Sequence, residues 1–405
     1  MKLALIADFH LGFSGDSLPQ ARMALEKATQ MADVILLAGD LFDYRVPKQE
    51  VVNDAVKLFR NSLQELRQKP LQCKIYKNGV EVDVPIVSIP GTHERRTKGL
   101  VNVIELLEST GLIVNCHNQR VVIESTNGDG IVEKVAVIGL AGVPEEFVRD
   151  VFKAADFKPL ANHFNVFVFH QSLKEVIPIS DFISCNDLPV GFDLYFNGHI
   201  HWRKEIKSDG KLVLIPGSTV ITQMRRNETE KKGFWLFDTQ THSYEFIFID
   251  SRPFFFNEIE LQNATLGEIK QKVNEVVESC VQNAGAIKSL IKIKLRGSLA
   301  SGVDSAVVNS TQLASSFTNA EVYIDKDFEV SGALRDKIEL IRQLKSDEKS
   351  VSEIGTVILK KQLQQNNFAL DCSEELFSAL SEKEVETAIE ILKKSSSKLK
   401  ASLST

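Results

Sequence analysis

Side chains that bind hard metal ions follow five short apolar segments of this 405-residue sequence. KLALIA is followed by Asp8-Phe9-His10, VILLA by Gly39-Asp40, PIVSIP by Gly91-Thr92-His93-Glu94, NVFVF by His170-Gln171, and DLYFN by Gly198-His199-Ile200-His201. No cysteine lies near these positions, so the available ligands are carboxylates and imidazoles. That ligand set suits Mn, Fe(II) or Zn better than Mg.

The apolar segments must bring these side chains together. Each has the length and the Val, Ile, Leu and Phe content of a buried strand, and ligands collect beyond the carboxyl ends of strands in an open α/β sheet. Asp8 and His10 lie two residues apart, as do His199 and His201, so each pair leaves one face of an extended segment. Asp40 follows a glycine, where a sharp turn leaves its carboxylate free to bridge two ions. The expected centre can clamp a phosphate and activate a water.

The order of these residues resembles the pattern of calcineurin-like metallophosphoesterases, D-x-H, G-D, G-N-H-[DE], H and G-H-x-H. Within them, the sequence is similar to the nuclease subunits of archaeal double-strand-break repair complexes, the counterparts of bacterial SbcD. The similarity extends roughly to residue 250. It continues more weakly through Ser251-Arg252-Pro253-Phe254, which resembles the start of a DNA-capping domain.

This resemblance implies two divalent metal ions, and Mn is the metal that we expect. It implies that one ion is held by Asp8, His10, Asp40 and His201, and the other by Asp40, Thr92, His170 and His199. It also implies that His93 stands off the metals and protonates the leaving oxygen or stabilises charge on the phosphate, a role that suits a side chain titrating near neutral pH. Pro216-Gly217-Ser218, after the strand-like LVLI, is expected either to lend a backbone contact to this site or to form a simple turn.

Two positions depart from the family pattern. Thr92 stands where the family usually has asparagine, so a hydroxyl replaces a carbonyl ligand, and the affinity for the second ion is an open question. Asp43 stands where many archaeal and eukaryotic relatives carry histidine, although SbcD-type relatives can carry aspartate there. We expect Asp43 to make a local turn hydrogen bond and Glu94 to act as a supporting or capping carboxylate.

The expected fold is α/β, a two-sheet metallophosphoesterase sandwich flanked by helices, with a small α/β capping domain and a helical C-terminal tail. We expect domains at 1–250 (nuclease), 251–330 (DNA capping) and 331–405 (linker and partner-binding helices). Helices are predicted around 18–31 and 48–68, and in the capping domain from Thr265 to about 282 and around 304–316. Hairpin turns are predicted at Asn78-Gly79 and Asp209-Gly210.

The resemblance implies that DNA is the substrate, although the net charge of −6 is not that of a protein that coats nucleic acid. Basic residues nevertheless follow the metal-binding segments, where they are candidates for phosphate contacts or for ordinary solvated loop charges. The candidates are Arg95, Arg96, Lys98, Arg203, Arg225 and Arg226.

Near the C-terminus, an apolar helical stripe has few neighbours in the sequence against which to pack. The resemblance implies that it binds the coiled-coil base of an ABC-type ATPase; packing on its own nuclease domain is the alternative. The stripe contains Val385, Ile389 and Leu392, and Leu376 and Phe377 lie just before it; all five are candidates for partner binding. The family also implies a homodimer, through helices in the 49–66 and 99–110 stretches.

Composition favours a cytoplasmic protein, and the resemblance to DNA-repair nucleases implies association with the nucleoid. The five cysteines are scattered and without C-x-x-C pairing, as in reduced thiols. Met1-Lys2 leads directly into a strand, unlike a signal peptide, and no apolar segment approaches the ~20 residues of a membrane helix. Two alternatives to a nuclease stay open, namely another phosphoesterase (a phosphatase or nucleotide hydrolase) and a weakly active DNA-end scaffold. Cleavage of DNA would distinguish a nuclease from another phosphoesterase. The number of tightly bound metal ions would distinguish it from a scaffold.

Overall fold

The structure is a computed structural model that describes residues 1–69, 73–96, 99–126, 130, 132–155, 157–300, 303, 305, 308, 317–328, 356, 359–360, 373–381 and 385–402. Its strands are β1 Lys2–Ile6, β2 Val34–Leu37, β3 Cys73–Lys77, β4 Val80–Val82, β5 Ile86–Ser88, β6 Val114–Asn115, β7 Val121–Thr126, β8 Val132–Leu140, β9 Phe164–Phe169, β10 Leu194–Asn197, β11 Lys204–Ser208, β12 Lys211–Ile215, β13 Gly233–Asp238, β14 Tyr244–Phe248, β15 Phe254–Ala264, β16 Ser289–Leu299 and β17 Ala320–Phe328. Its α-helices are α1 Ser17–Met31, α2 Gln49–Arg67, α3 Val103–Ser109, α4 Glu145–Ala154, α5 Leu266–Ala284, α6 Ser373–Ser381 and α7 Val385–Ser402. Within the described residues, no helix has the length and apolar character needed to cross a membrane.

Two mixed sheets carry the expected site segments. The first has the order β14-β13-β1-β2-β5-β6, and the second β11-β12-β10-β9-β8-β7-β3-β4. β1, β2, β5 and β6 run parallel to one another, as do β8, β9, β10 and β12. Parallel strands end at the same edge of a sheet, so the residues after β1, β2 and β5 are neighbours, and so are those after β9 and β10. The predicted α/β sandwich of two sheets is confirmed.

Helix α1 begins at Ser17 and α2 ends at Arg67, each within one residue of the predicted bounds. Both helices bury one apolar face in the core that also covers the first sheet. The predicted hairpin at Asn78-Gly79 joins β3 to β4, and that at Asp209-Gly210 joins β11 to β12. All four turn residues have positive φ, the conformation that two-residue hairpin turns of type I′ require.

A third sheet has the order β15-β16-β17 and contains only strands that follow residue 250. Helix α5, next to it in sequence, buries Ile269, Val273, Val277 and Cys280, which recur at helical spacing on one face. The predicted small α/β unit is therefore present in its strands and its first helix. A second helix expected around 304–316 falls largely outside the described residues.

The chain divides into two compact units. One comprises 1–259, 266–295 and 306–326, and the other 260–265, 296–305 and 327–405. In the second unit, α6 and α7 pack through Leu376, Ala379 and Ala388, with Leu359 and Ile391 against them. The expected boundaries at 250 and 330 stay predictions.

Candidate metal centre

The side chains that follow the parallel strands meet at one place between the two sheets. Asp8, Asp40 and the segment Gly91–Glu94 follow β1, β2 and β5 of the first sheet, and His170 and His199 follow β9 and β10 of the second. The two sheets join directly here, because the backbone N–H of His199 donates to both carboxylate oxygens of Asp8, at 3.2 and 3.1 Å.

The first group of potential ligands consists of Asp8, His10 and His201, all buried. Nε2 of His10 lies 3.3 Å from Nε2 of His201, and Oδ1 of Asp8 lies 3.9 and 4.0 Å from these two atoms. Donor atoms bound at about 2.1 Å to one ion lie on the order of 3–3.5 Å apart. The three side chains therefore fit a divalent cation with only small adjustments.

The second group consists of Asp40, His170 and His199, whose donor atoms lie within 4.8 Å of one another. Nε2 of His170 lies 3.0 Å from Oδ2 of Asp40, and its Nδ1 donates to the carbonyl oxygen of Ala38 at 2.6 Å. That bond fixes the ring and leaves Nε2 as the donor atom for a metal. The two groups contain six of the seven metal ligands expected from the sequence.

Thr92, the seventh expected ligand, lies against Asp40. Its hydroxyl donates to Oδ2 of Asp40 at 3.1 Å, the same oxygen that lies beside His170. Thr92 therefore lies beside the second group, and its role as a metal ligand stays a prediction.

Four of the site residues adopt positive φ although none is glycine. The angles are 56° for Asp8, 46° for His10, 50° for Asp40 and 74° for His199. Non-glycine residues in this region cost on the order of 1–3 kcal/mol each and persist only where their surroundings impose them. Here the backbone bonds Asp8 N–H to Gly39 O and His10 N–H to Asp40 O, both 3.0 Å, impose the turn that aims the side chains inward.

Glycines make room for this arrangement at two close approaches. A Cβ at Gly91 would lie 2.1 Å from Oδ1 of Asp40, and one at Gly198 would lie 2.2 Å from the carbonyl oxygen of Ala38 and 2.7 Å from Nδ1 of His170. Any side chain at either position would displace a potential ligand.

Glu94 is fully buried and holds the backbone beneath Asp40. Its Oε2 accepts from the N–H groups of Asp40 and Gly91, at 3.1 and 2.6 Å, and its Oε1 accepts from that of Phe42 at 2.8 Å. Burial raises the pKa of Glu94 to about 7. The prediction of a supporting carboxylate is confirmed.

His93 differs from the six ligands because its side chain is 40% exposed. Its Nδ1 donates to the backbone carbonyl of Asp43 at 2.6 Å, and its backbone N–H donates to Oδ1 of Asp40 at 2.8 Å. Oδ1 of Asp43 lies 3.1 Å from Nδ1 of His10 and 3.6 Å from Nδ1 of His93. Asp43 thus contacts both a ligand and the predicted acid, which is more than a local turn bond.

Electrostatics favour the ligand form of two histidines. Burial lowers the pKa of His199 to about 4 and that of His201 well below its ordinary value, so both keep a lone pair at neutral pH. Burial raises the pKa of Asp8. For Asp40 and His170 the effect of burial is outweighed by their mutual attraction, which lowers the pKa of Asp40 and raises that of His170 to about 10.

Two of the candidate DNA-contacting residues form ion pairs with glutamates. Arg203 pairs with Glu230 at 3.2 Å and lies over the ring of Phe246, and Arg226 pairs with Glu258 at 2.8 Å and lies over that of Phe256. Arg95 and Arg225 are exposed and Arg96 is half-buried. Lys98 lies outside the residues that the structure describes.

The candidate partner-binding residues are also divided. Leu376 is buried and Phe377 half-buried in the α6–α7 pair, whereas Val385, Ile389 and Leu392 are exposed on α7. Exposure leaves the last three accessible to a partner, and their role in binding one stays a prediction.

Sequence reasoning missed residues that contact the site from a distance along the chain. Nδ1 of His201 contacts the hydroxyl of Thr222, and Oε1 of Glu145 lies 4.0 Å from Nε2 of His199. Neither residue belongs to a short motif. The predicted backbone contact is present within the expected turn, where Ser218 N–H donates to the carbonyl of His201 at 3.3 Å. The next residue, Thr219, donates through its N–H to the carbonyl of Asp8 at 3.2 Å.

Comparison with known proteins bears on the same residues. The calcineurin-like phosphoesterase family matches residues 1–203, which include all six potential ligands and His93. The DNA double-strand break repair protein Mre11 of Archaeoglobus fulgidus is 26% identical over 314 residues, covering 68% of this chain and 65% of that protein.

Two further relatives carry similar names. Mre11 of Methanopyrus kandleri is 29% identical over 277 residues, covering 62% of this chain and 57% of that protein. The human double-strand break repair protein MRE11 is 25% identical over 307 residues, covering 65% of this chain and 43% of that protein. The matches thus span less than two thirds of the length of each relative.

Proposed function

The chain belongs to the calcineurin-like phosphoesterase family, and from that premise we propose that it is a two-metal, Mn-dependent DNA nuclease. It would hydrolyse phosphodiester bonds, exo- and endonucleolytically, in the processing of double-strand-break ends. The observation that carries this proposal is the pair of ligand groups, Asp8, His10 and His201 beside Asp40, His170 and His199. The names of the archaeal and human relatives support DNA as the substrate.

The donor set fits two divalent cations, since each group offers one carboxylate and two imidazoles with nitrogen or oxygen atoms close together. When bound, such ions polarise the phosphate and lower the pKa of a bound water. Asp40 would be the residue shared by the two ions, because the family pattern assigns it to both and its Oδ2 lies 3.0 Å from Nε2 of His170. The backbone N–H groups of Asp40 and Gly91 donate to Oε2 of Glu94, and these two bonds would hold Asp40 in position.

His93 would hold the proton for the leaving oxygen. Its Nδ1–H is committed to the carbonyl of Asp43, so Nε2 is the nitrogen that gives or takes a proton. Its exposure makes it accessible to a substrate, in contrast to the buried ligands Asp8, His10 and His170. We assign it general acid catalysis rather than metal binding.

The domain assignment of this proposal is 1–250 for the nuclease, 251–330 for DNA capping and 331–405 for the linker and partner-binding helices. The first two sheets consist wholly of strands before residue 250, and the third of strands after it, which supports the first boundary. The partner would be a coiled-coil ABC-type ATPase bound through exposed residues of α7. A homodimer and association with the nucleoid complete the proposal.

The test is digestion of end-labelled hairpin and blunt DNA with Mn, with and without the ATPase, beside a small phosphate ester. We expect DNA cleavage that Asp8→Ala and His199→Ala abolish together with metal binding. Hydrolysis of the ester without any DNA cleavage would favour a phosphatase or nucleotide hydrolase. Failure to bind more than one ion tightly in calorimetry would favour a DNA-end scaffold.

A further inference from the structure

A buried ion pair lies behind His201, on the side away from the other ligands of its group. Nζ of Lys232 lies 3.4 Å from Oε1 of Glu228, and the two residues are only 4% and 1% exposed. Burying two charges costs several kcal/mol per ion unless further hydrogen bonds compensate. The contacts that these two residues make therefore indicate what the pair supports.

Two of those contacts lead to His201, one directly and one through Thr222. Nζ of Lys232 donates to the backbone carbonyl of His201 at 2.8 Å and to the hydroxyl of Ser218 at 3.2 Å. Oε1 of Glu228 lies 3.3 Å from the hydroxyl of Thr222, and that hydroxyl contacts Nδ1 of His201. The pair thus holds both the backbone and the imidazole of one potential ligand.

The hydrogens available determine the direction of these bonds. A carboxylate only accepts, so the hydroxyl proton of Thr222 goes to Glu228. The same hydroxyl then accepts the Nδ1–H of His201. Nε2 of His201 is consequently the nitrogen with a lone pair, and it lies 3.3 Å from Nε2 of His10 and 4.0 Å from Oδ1 of Asp8.

Glu228 also orders the chain segment that carries Thr222. Its Oε1 accepts from the N–H of Thr222 at 3.1 Å, and its Oε2 accepts from that of Gln223 at 2.9 Å. The hydroxyl is thereby held in place before any ligand binds. Such preorganisation is what a histidine ligand needs from the residues around it.

We propose that Thr222, Glu228 and Lys232 are positioning residues that fix the tautomer and orientation of His201 for metal binding. This inference rests on the proposed metal-dependent function. It concerns residues beyond position 203, where the family match ends. Hydrogen-bonding partners of metal-bound histidines typically contribute about 10–100-fold in metal affinity.

The experiment measures Mn binding to the full chain by calorimetry. Thr222→Val keeps the shape of the side chain and removes the hydroxyl, so one of the two ions should bind about 10–100-fold more weakly. Thr222→Ser should restore the affinity. Thr239→Val is the matched control, because the Thr239 hydroxyl is also bonded to a glutamate, Glu133, and in addition to the carbonyl of Met1.

A second measurement needs no metal. In the protein kept in EDTA, ¹⁵N NMR of His201 should show the Nδ1-protonated tautomer, and Thr222→Val, which removes the acceptor of that proton, should shift it toward Nε2. If Thr222→Val binds both ions as the wild type does, with the same imidazole signals, the inference is wrong while the proposed function stands. If the wild type itself binds no divalent ion, the proposed function fails and the inference fails with it.

Discussion

The backbone N–H of His93 donates to Oδ1 of Asp40 over 2.8 Å. This bond ties the residue proposed to protonate the leaving group to the carboxylate proposed to bridge two ions. A displacement of either one would therefore misplace the other. The same carboxylate uses its second oxygen toward His170 and Thr92, so Asp40 connects the proposed acid to the second ligand group.

His93→Gln should separate metal binding from turnover. The side chain is not in either ligand group, so calorimetry should still detect two ions, while cleavage of end-labelled DNA falls about 10²–10⁴-fold, the usual worth of general acid–base help. His163→Gln is a suitable control, because Nδ1 of His163 also donates to a backbone carbonyl, that of Ala161, and lies in no site motif. Full activity in His93→Gln would contradict the assignment.

Glu94→Gln should destabilise the chain and weaken metal binding. The carboxylate of Glu94 accepts three backbone N–H bonds with its two oxygens. A glutamine amide replaces one of these oxygens with an N–H₂ group, which cannot accept, so at least one backbone N–H would lose its acceptor. Leaving a buried donor unsatisfied costs about 1–3 kcal/mol, measurable as a lower free energy of unfolding in urea. Unchanged stability would mean that the loop around Asp40 is held by other contacts.

Thr92→Asn should tighten the second ion. The hydroxyl of Thr92 donates to Oδ2 of Asp40, whereas the carbonyl oxygen of an asparagine amide can itself be a ligand. The Mn concentration needed for half-maximal cleavage should fall. Thr92→Val, which removes the hydroxyl without adding a ligand, is the control and should not reproduce the gain. An unchanged titration in Thr92→Asn would show that something else completes the second site.

Metal binding should release a proton at neutral pH. Burial alone would lower the pKa of His170, but Asp40 outweighs it and raises the pKa to about 10, so the ring carries a proton at neutral pH that a metal must displace. We expect net proton release when the ions bind, and affinity that rises with pH. Calorimetry in buffers of different ionisation enthalpy measures the release, and heats that do not depend on the buffer would contradict it.

The same shift has a consequence for stability in EDTA. The folded pKa of His170 lies above its ordinary value of 6.5, so the folded chain keeps a proton that the unfolded chain has lost. This contribution to stability is complete below pH 6.5 and is lost as the pH rises through about 10.

Much of the site was predictable from the sequence because its ligands follow strands. The apolar segments before Asp8, Asp40 and His170 are parallel strands, and parallel strands end at one edge. The positive φ of Asp8 was not predictable, since it is imposed by a backbone bond to Gly39, which is distant along the chain. Such conformations depend on tertiary contacts and leave no local signal at a non-glycine residue.

The support behind His201 was unpredictable for a related reason. Thr222 is separated from it by 21 positions, and a lone threonine in a polar loop carries no spacing signal. The orientation of the last two helices, α6 and α7, was only partly predictable from the sequence. Periodicity placed Ile389 in an apolar stripe of the last helix with Leu376 just before it, but packing of α6 on α7 buries Leu376 and leaves Ile389 exposed. Which residue turns inward depends on the neighbouring helix.

The exposure of Ile389 and Leu392 on α7 leads to the last prediction, which concerns binding of the ATPase partner. Ile389 and Leu392 are 45% and 42% exposed, so replacing both with aspartate in the full chain should leave α7 folded. Apolar contact area is what such a surface offers a coiled coil, and charges there would have to be desolvated on binding. We therefore expect loss of ATPase pull-down with unchanged Mn binding.

Two matched variants separate docking from folding. Ile287→Asp places a charge at an apolar residue that is 52% exposed elsewhere and should bind the ATPase normally. Leu376→Asp buries a charge in the α6–α7 pair and should lower its thermal stability, because an unpaired buried charge is strongly unfavourable. If the double variant at 389 and 392 still binds the ATPase like the Ile287 control, the docking surface lies elsewhere and the exposed residues of α7 do not form it.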